Sequence, residues 1–170
     1  MIPSEHKKNA PVELTVGIIT ISDSLYSSKE KDRDDVSGDI IQKRMEEAGF
    51  SSERHLCPDD EKKIRAILWE LLDNSKIDAL ITTGGTGIAS RDKTIDVVSS
   101  LFDKKLPGFG ELLRRKSYDQ IGTSVILTRS TAGIISQKPV FCLPGSPDSV
   151  EIGSELIIPE LPHLVKHARE

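Results

Sequence analysis

Three short apolar runs, each ending abruptly in a polar or glycine-rich turn, constrain this 170-residue chain more than any other feature. Leu14-Thr15-Val16-Gly17-Ile18-Ile19-Thr20-Ile21 stops at Ser22-Asp23-Ser24. Ile77-Asp78-Ala79-Leu80-Ile81-Thr82 runs into Thr83-Gly84-Gly85-Thr86-Gly87, and Pro139-Val140-Phe141-Cys142-Leu143 ends at Pro144-Gly145-Ser146-Pro147. Runs of this length that are nearly continuous in apolar character, rather than alternating, read as strands covered on both faces.

Helical patterns separate them. Residues 35–48 put Val36, Ile40, Ile41, Met45 and Ala48 on one stripe before the stop at Gly49. After a weak strand around Arg54 to Cys57 and the turn Pro58-Asp59-Asp60, the residues Ile64, Ile67, Leu68, Leu71 and Leu72 keep helical spacing without a miss. Two further helices, Thr94 to Leu101 and Gly110 to Tyr118, flank a turn expected at Leu106-Pro107-Gly108-Phe109-Gly110. Ser124 to Thr128 and Ala132 to Ile135 read as short strands or a hairpin. Ser146 is placed to cap a last helix with Pro147 at its first position, and Pro159 and Pro162 break or kink the C-terminal segment. Alternating strands and helices predict a doubly wound three-layer α/β/α sandwich with a mainly parallel sheet. The domain is expected over residues 14–170, behind a polar segment 1–13.

Charge and composition remove several classes of partner. Lys and Arg total 23 against 27 Asp and Glu, a net charge of -4, so no whole-chain field draws nucleic acid or an anionic membrane. No apolar run approaches a membrane span, and none comes after Lys7 and Lys8 that would serve as a signal-peptide core. Cys57 and Cys142 lack C-x-x-C spacing and read as two separate buried thiols, which fits a reducing cytoplasm. His6, His55, His163 and His167 form no metal-ligand pattern and read as surface residues.

In a parallel sheet the turns after the strands gather at one edge, where ligands bind. Glycines there let successive backbone N–H groups converge on an anion. Thr83-Gly84-Gly85-Thr86-Gly87 is neither a P-loop nor a dinucleotide fingerprint, so both standard nucleotide readings fail. Asp59 and Asp60, taken singly, suit a helix start, and Arg91 beside Asp92 would ordinarily be a solvated pair. Carboxylates aimed at a phosphate need a cation between them, and magnesium is the usual one.

Four motifs in register carry a resemblance: Thr82-Thr83-Gly84-Gly85-Thr86-Gly87, Arg91-Asp92-x-Thr94, Pro107-Gly108-Phe109-Gly110-Glu111 and Leu143-Pro144-Gly145-Ser146-Pro147-x-Ser149. Together with Ile21-Ser22-Asp23 and Asp35-x-Ser37-Gly38, they make the chain similar to the MoaB/MogA family of molybdenum-cofactor biosynthesis from about Val16 onward. The resemblance implies a molybdopterin-binding domain that adenylylates molybdopterin with magnesium-ATP, releasing pyrophosphate, before a metal-inserting protein of the MoeA type acts. It implies a homotrimer or a hexamer of two trimers. Asp59 and Asp92 match the family's two essential carboxylates, with Asp60 competing for the first role. Gly84, Gly85, Thr86 and Gly87, beside Thr83, match the phosphate cradle. Ser22 and Asp23 match the first-strand turn, Gly145 and Ser146 the loop on the pterin side, and Glu111 an acidic position beside the pocket. The alternative is a non-catalytic molybdopterin-binding or carrier module, which two carboxylates near an anion argue against. An oligomer is also expected because Leu156-Ile157-Ile158, Leu161 and the 107–111 region offer more apolar surface than one small sheet covers.

Overall fold

Neighbouring residues of the first apolar run belong to two different hydrophobic cores. In a computed structural model that describes residues 13–28 and 34–170, Val16 and Ile18 enter one core while Ile19 and Ile21 enter the other. The same division separates Ile81 from Leu80, and Phe141 and Leu143 from Val140 and Cys142. Both faces of the strands are therefore dry, which is why apolar residues run on without alternation. Each such fully buried side chain contributes about 1.5–3 kcal/mol of transfer free energy.

The strands are β1 (Thr15–Ile21), β2 (Ser51–Cys57), β3 (Ala79–Thr83), β4 (Lys104–Lys105), β5 (Thr131–Ile135) and β6 (Lys138–Leu143). Their order across the sheet is β2-β1-β3-β6-β5-β4. The pairs β1/β2, β1/β3 and β3/β6 are parallel, and β5/β6 and β4/β5 are antiparallel. The helices are α1 (Asp23–Ser27), α2 (Val36–Glu47), α3 (Glu61–Asp73), α4 (Thr94–Ser99), α5 (Pro107–Ile121), α6 (Pro147–Ile157) and α7 (Leu161–Arg169). Residues of α2, α5, α6 and α7 fill the first core, and residues of α3 and α4 fill the second. The chain is thus the three-layer sandwich expected, with a parallel half and an antiparallel margin. From β1 the chain goes to β2 on one side and later to β3 on the other, so the crevice of a doubly wound sheet falls between β1 and β3.

Several local expectations are corrected. Residues 107–110 are no turn but the start of α5, because proline at the first position has no backbone donor to lose there. Residues 122–127 form a 3₁₀ helix rather than a strand; β5 already has β6 on one side and β4 on the other, so no ladder is open to them. Val36 is 42% exposed, and the buried face of α2 is Gly38, Ile41 and Met45 instead. Ile157 and Leu161 are buried in the first core, but Leu156 and Ile158 are only partly buried and Leu156 lines an open cavity with Pro107, Gly108 and Phe109, so part of the expected apolar surface is present. Exposed apolar side chains gather at Leu112, Tyr118 and Ile121 on α5 with Ile126 (81% exposed) and Leu127 (57%) on the 3₁₀ helix; Tyr26, Val36, Trp69 and Ile88 are exposed elsewhere.

Cys57 and Cys142 are free and buried, with burial pushing their thiols up to about 11 and about 12. His163 and His167 stack edge to face on α7, and among the described residues no group of three His, Cys, Asp or Glu side chains is arranged to hold a metal. Among the described residues no helix is long and apolar enough to cross a membrane. The polar segment 1–13 lies outside the described residues apart from Glu13, and so do residues 29–33.

Candidate functional site

The turns after β1, β2, β3 and β6 are tied to one another at the carboxyl edge of the sheet. Ser22 N–H donates to the Cys57 carbonyl (2.9 Å), and Gly84 N–H donates to the Leu143 carbonyl (3.2 Å). The Thr83 hydroxyl reaches the Pro144 carbonyl (3.1 Å), and the Ser37 hydroxyl at the start of α2 reaches the Gly145 carbonyl (2.8 Å). Four segments distant in sequence are thereby held as one rim.

The glycines in this rim are required by contact. Gly84 and Gly85 have φ of +92° and +61°, values that side chains rarely adopt. A β-carbon on Gly84 would strike the Ile21 carbonyl oxygen, and one on Gly85 would strike the Thr94 hydroxyl and the Asp59 carboxylate. The loop is also sewn to α4, since the Thr94 hydroxyl donates to the Gly84 carbonyl (2.9 Å) and Thr94 N–H to the Gly85 carbonyl (3.1 Å).

Two cavities open on either side of Ile21, Ser22 and Ser24, which line both. The first, about 360 Å³, is walled by Asp23, Asp59, Gly85, Arg91 and Asp92. The second, about 390 Å³, is walled by Thr20, Leu25, Ser37, Thr83, Gly84, Gly145 and Pro147 among others. The first holds three carboxylates, Asp23, Asp59 and Asp92, with Arg91; the second holds two, Asp34 and Asp35, among hydroxyls and apolar side chains.

The adjacent aspartates 59 and 60 have separate work. Asp60 caps α3, its carboxylate accepting from Lys63 N–H (3.0 Å). Asp59 turns into the cavity: its Oδ1 accepts from Lys93 N–H (2.9 Å), and its own N–H donates to Asp23 Oδ1 (2.9 Å). Burial raises the Asp59 carboxyl above the ordinary aspartate range, and the charges of Asp92 and Asp23 push the same way, while the Lys93 amide opposes them. Asp92 accepts from Ala89 N–H (2.8 Å) across the turn that leads into α4. Asp23, Asp59 and Asp92 bring together carboxylate oxygens of one sign, the kind of ligand a hard divalent cation takes.

Of the remaining residues singled out in the sequence, Thr86 is buried beneath the loop and Gly87 abuts the Asp92 carboxylate. Ser146 caps α6 by accepting from Ser149 N–H (3.3 Å). Glu111 is exposed on α5 and lines neither cavity. Sequence reasoning missed the cluster behind the second cavity, where Asp35 caps α2, accepts from the Thr20 hydroxyl (2.7 Å) and pairs with Arg54. Asp35 three residues before Gly38 was a helix-start signal; the other two partners are far apart in sequence.

A doubly wound sheet with a glycine loop and a carboxylate-lined cavity at its switch point places the chain among α/β sandwiches whose ligand sites form outside the carboxyl ends of the strands. The chain belongs to the family described as "Probable molybdopterin binding domain", whose model matches residues 17–163. It is 43% identical over 170 residues to the molybdopterin adenylyltransferase of Pyrococcus furiosus, covering 98% of each chain. It is 41% identical over 174 residues to molybdenum cofactor biosynthesis protein B of Bacillus subtilis, covering 100% of this chain and 99% of that one. The crystal structure of the tungsten cofactor synthesizing protein MoaB from Pyrococcus furiosus superposes with a TM-score of 0.84 at 41% identity, covering 95% of this chain and 100% of that one.

Proposed function

We propose that residues 14–170 form one molybdopterin-binding unit that adenylylates molybdopterin with ATP as a step of molybdenum-cofactor biosynthesis. The terminal phosphate of molybdopterin attacks the α-phosphorus of ATP, the bond to the β-phosphate breaks, and pyrophosphate leaves. The observation that carries this reading is the pairing of Asp59 and Asp92 in a cavity that adjoins, across Ser22, a second cavity able to take another ligand. A pure phosphate binder gains little from two carboxylates near an anion.

Asp59 and Asp92 would hold magnesium together with the ATP phosphates, and the ion would offset the charge on the transferring group. The chain's own part is positional. Gly84 gives its amide to the Leu143 carbonyl, so Gly85 is the loop residue that walls the carboxylate cavity; Asp23 accepts from Asp59 N–H, and Thr83 and Gly145 border the second cavity on the pterin side. No side chain serves as nucleophile, so neither a cysteine nor a histidine is needed. Rigid placement of two bound substrates supplies much of the acceleration.

The exposed apolar patch on α5 and the 3₁₀ helix supports a homo-oligomer, read from the family as a trimer or a hexamer. We place the protein in the cytoplasm, handing its product to a metal-inserting protein of the MoeA type. Purified protein given magnesium-ATP and molybdopterin is expected to yield adenylylated pterin and pyrophosphate. Molybdopterin binding with neither product would replace the enzyme with a carrier, and light scattering at the monomer mass of 18.7 kDa would remove the oligomer.

A further inference from the structure

The far end of the glycine loop has few anchors. Its beginning is fixed by Leu143 and by Thr94, but residues 88–91 are exposed, Ile88 by 71%, and little packing holds them. Within this stretch Asp92 both accepts from Ala89 N–H and donates its own N–H to the Ala89 carbonyl (2.9 Å), closing a small turn. That turn fixes Asp92 relative to Ala89; Lys93 N–H on Asp59 and Thr94 N–H on the Gly85 carbonyl hold its far side, and its near side, at Gly87, is held separately.

The contact on the Gly87 side is Arg129. It stands between the 3₁₀ helix and β5, and its guanidinium donates through one nitrogen to the Gly87 carbonyl (2.9 Å) and through the other to Asp96 on α4. Gly87 is the residue against which the Asp92 carboxylate rests, since a β-carbon there would meet Asp92 Oδ2. One guanidinium therefore joins the loop that carries Asp92 to the helix beyond it. Arginine suits this, because its planar fork reaches two acceptors at once where a lysine ammonium would hold one well.

We infer that Arg129 is a positioning residue for adenylyl transfer: by pinning the Gly87 carbonyl it sets where the Asp92 carboxylate meets the magnesium-ATP phosphates. The inference rests on the function proposed above. It makes Arg129 act on the rate of transfer rather than on pterin affinity, because the second cavity is bounded by other segments.

The test is steady-state kinetics on the full chain with magnesium-ATP and molybdopterin, alongside hydrogen exchange of the ligand-free protein. Arg129→Gln is expected to lower kcat at least tenfold, the loss of one charge-assisted hydrogen bond at a reacting site, with molybdopterin Kd unchanged. Amides 87–92 should exchange faster in that variant. Arg129→Lys, which keeps one of the two bonds, should recover part of kcat. Asp96→Asn spares the Gly87 bond and should stay near wild type in both readouts. Wild-type kcat in Arg129→Gln, or an equal fall in kcat and pterin affinity, overturns the inference. Inactive wild-type protein overturns the proposed function, and the exchange of amides 87–92 then decides the tethering role of Arg129.

Discussion

The parallel and antiparallel halves of this sheet use the same kinds of residue to opposite ends. In the parallel half, β2-β1-β3-β6, every strand points the same way, so four turns meet at one edge and Ser22, Asp59, Gly85 and Gly145 become neighbours around two cavities. In the antiparallel margin β5 turns straight back into β6, β4 reaches β5 only through α5 and the 3₁₀ helix, and neither cavity draws a wall from β4 or β5. Positive φ appears in both. Gly84 adopts it against the Ile21 carbonyl and Gly85 against the Thr94 and Asp59 side chains, whereas Ser136 (+47°) and Gln137 (+64°) adopt it to close the hairpin between β5 and β6. The first is demanded by contact and the second only by the tightness of a turn.

Adding or removing a β-carbon is the sharpest way to break this comparison. Gly84→Ala should abolish measurable adenylyl transfer and lower stability by more than ~1 kcal/mol, because the new carbon meets the Ile21 carbonyl and the backbone has nowhere to move. Paired activity assays and thermal melts check it; a soluble, active variant would mean that the loop relaxes freely. Gly85 fails for a related reason, by displacing Asp59 and Thr94 rather than by shielding the anion.

Asp59→Asn and Asp92→Asn should each reduce transfer by about 100-fold while molybdopterin binding is kept or tightened, since the lost charge acts on the reaction and not on the pterin. Calorimetry beside single-turnover assays separates the two effects. The same substitution at Asp59 carries a pH signature. The folded state raises this carboxyl above its unfolded value, so between those two values the folded chain keeps a proton that the unfolded chain has released. That contribution to stability is present at low pH and is lost as pH rises through the raised value. The thermal advantage of Asp59→Asn over wild type should therefore grow across that interval as pH rises, and a difference independent of pH would remove the crowding argument.

Asp60→Ala should behave as a lost helix cap, costing about 1 kcal/mol of stability with turnover within about twofold of wild type. Denaturant melts and kinetics on that one variant decide which of the adjacent aspartates serves the site. The smallest effect belongs to the antiparallel half: Gln137→Gly should gain stability by up to about 1 kcal/mol at unchanged activity, because glycine holds positive φ without strain.

Much of the architecture was legible along the chain. Strands β1, β3 and β6 announced themselves because both their faces are buried, and α3 because Ile64, Leu68, Leu71 and Leu72 recur at the period of one helical face. The segment 122–127 was misread because a short apolar run carries no sign of whether a neighbouring strand will be there to receive it. Pro107 was misread as a turn because proline marks a helix start and a turn alike.

By itself the sequence determined which local shapes were available: where the backbone must be glycine, where a hydroxyl or carboxylate stands after a strand, and hence the family motifs at Gly84, Asp92 and Ser146. Only the tertiary structure decided which of those groups share a cavity. It turned Asp59 inward and left Asp60 as a cap, a choice between adjacent residues of one chemistry that composition and period do not make. It brought Arg129 to Gly87 across 42 residues, and Ser37 to Gly145 across 108. Local propensity acts over a few residues, whereas these contacts depend on strand direction and on the reversal between β1 and β3, which are set by packing both faces of the sheet at once.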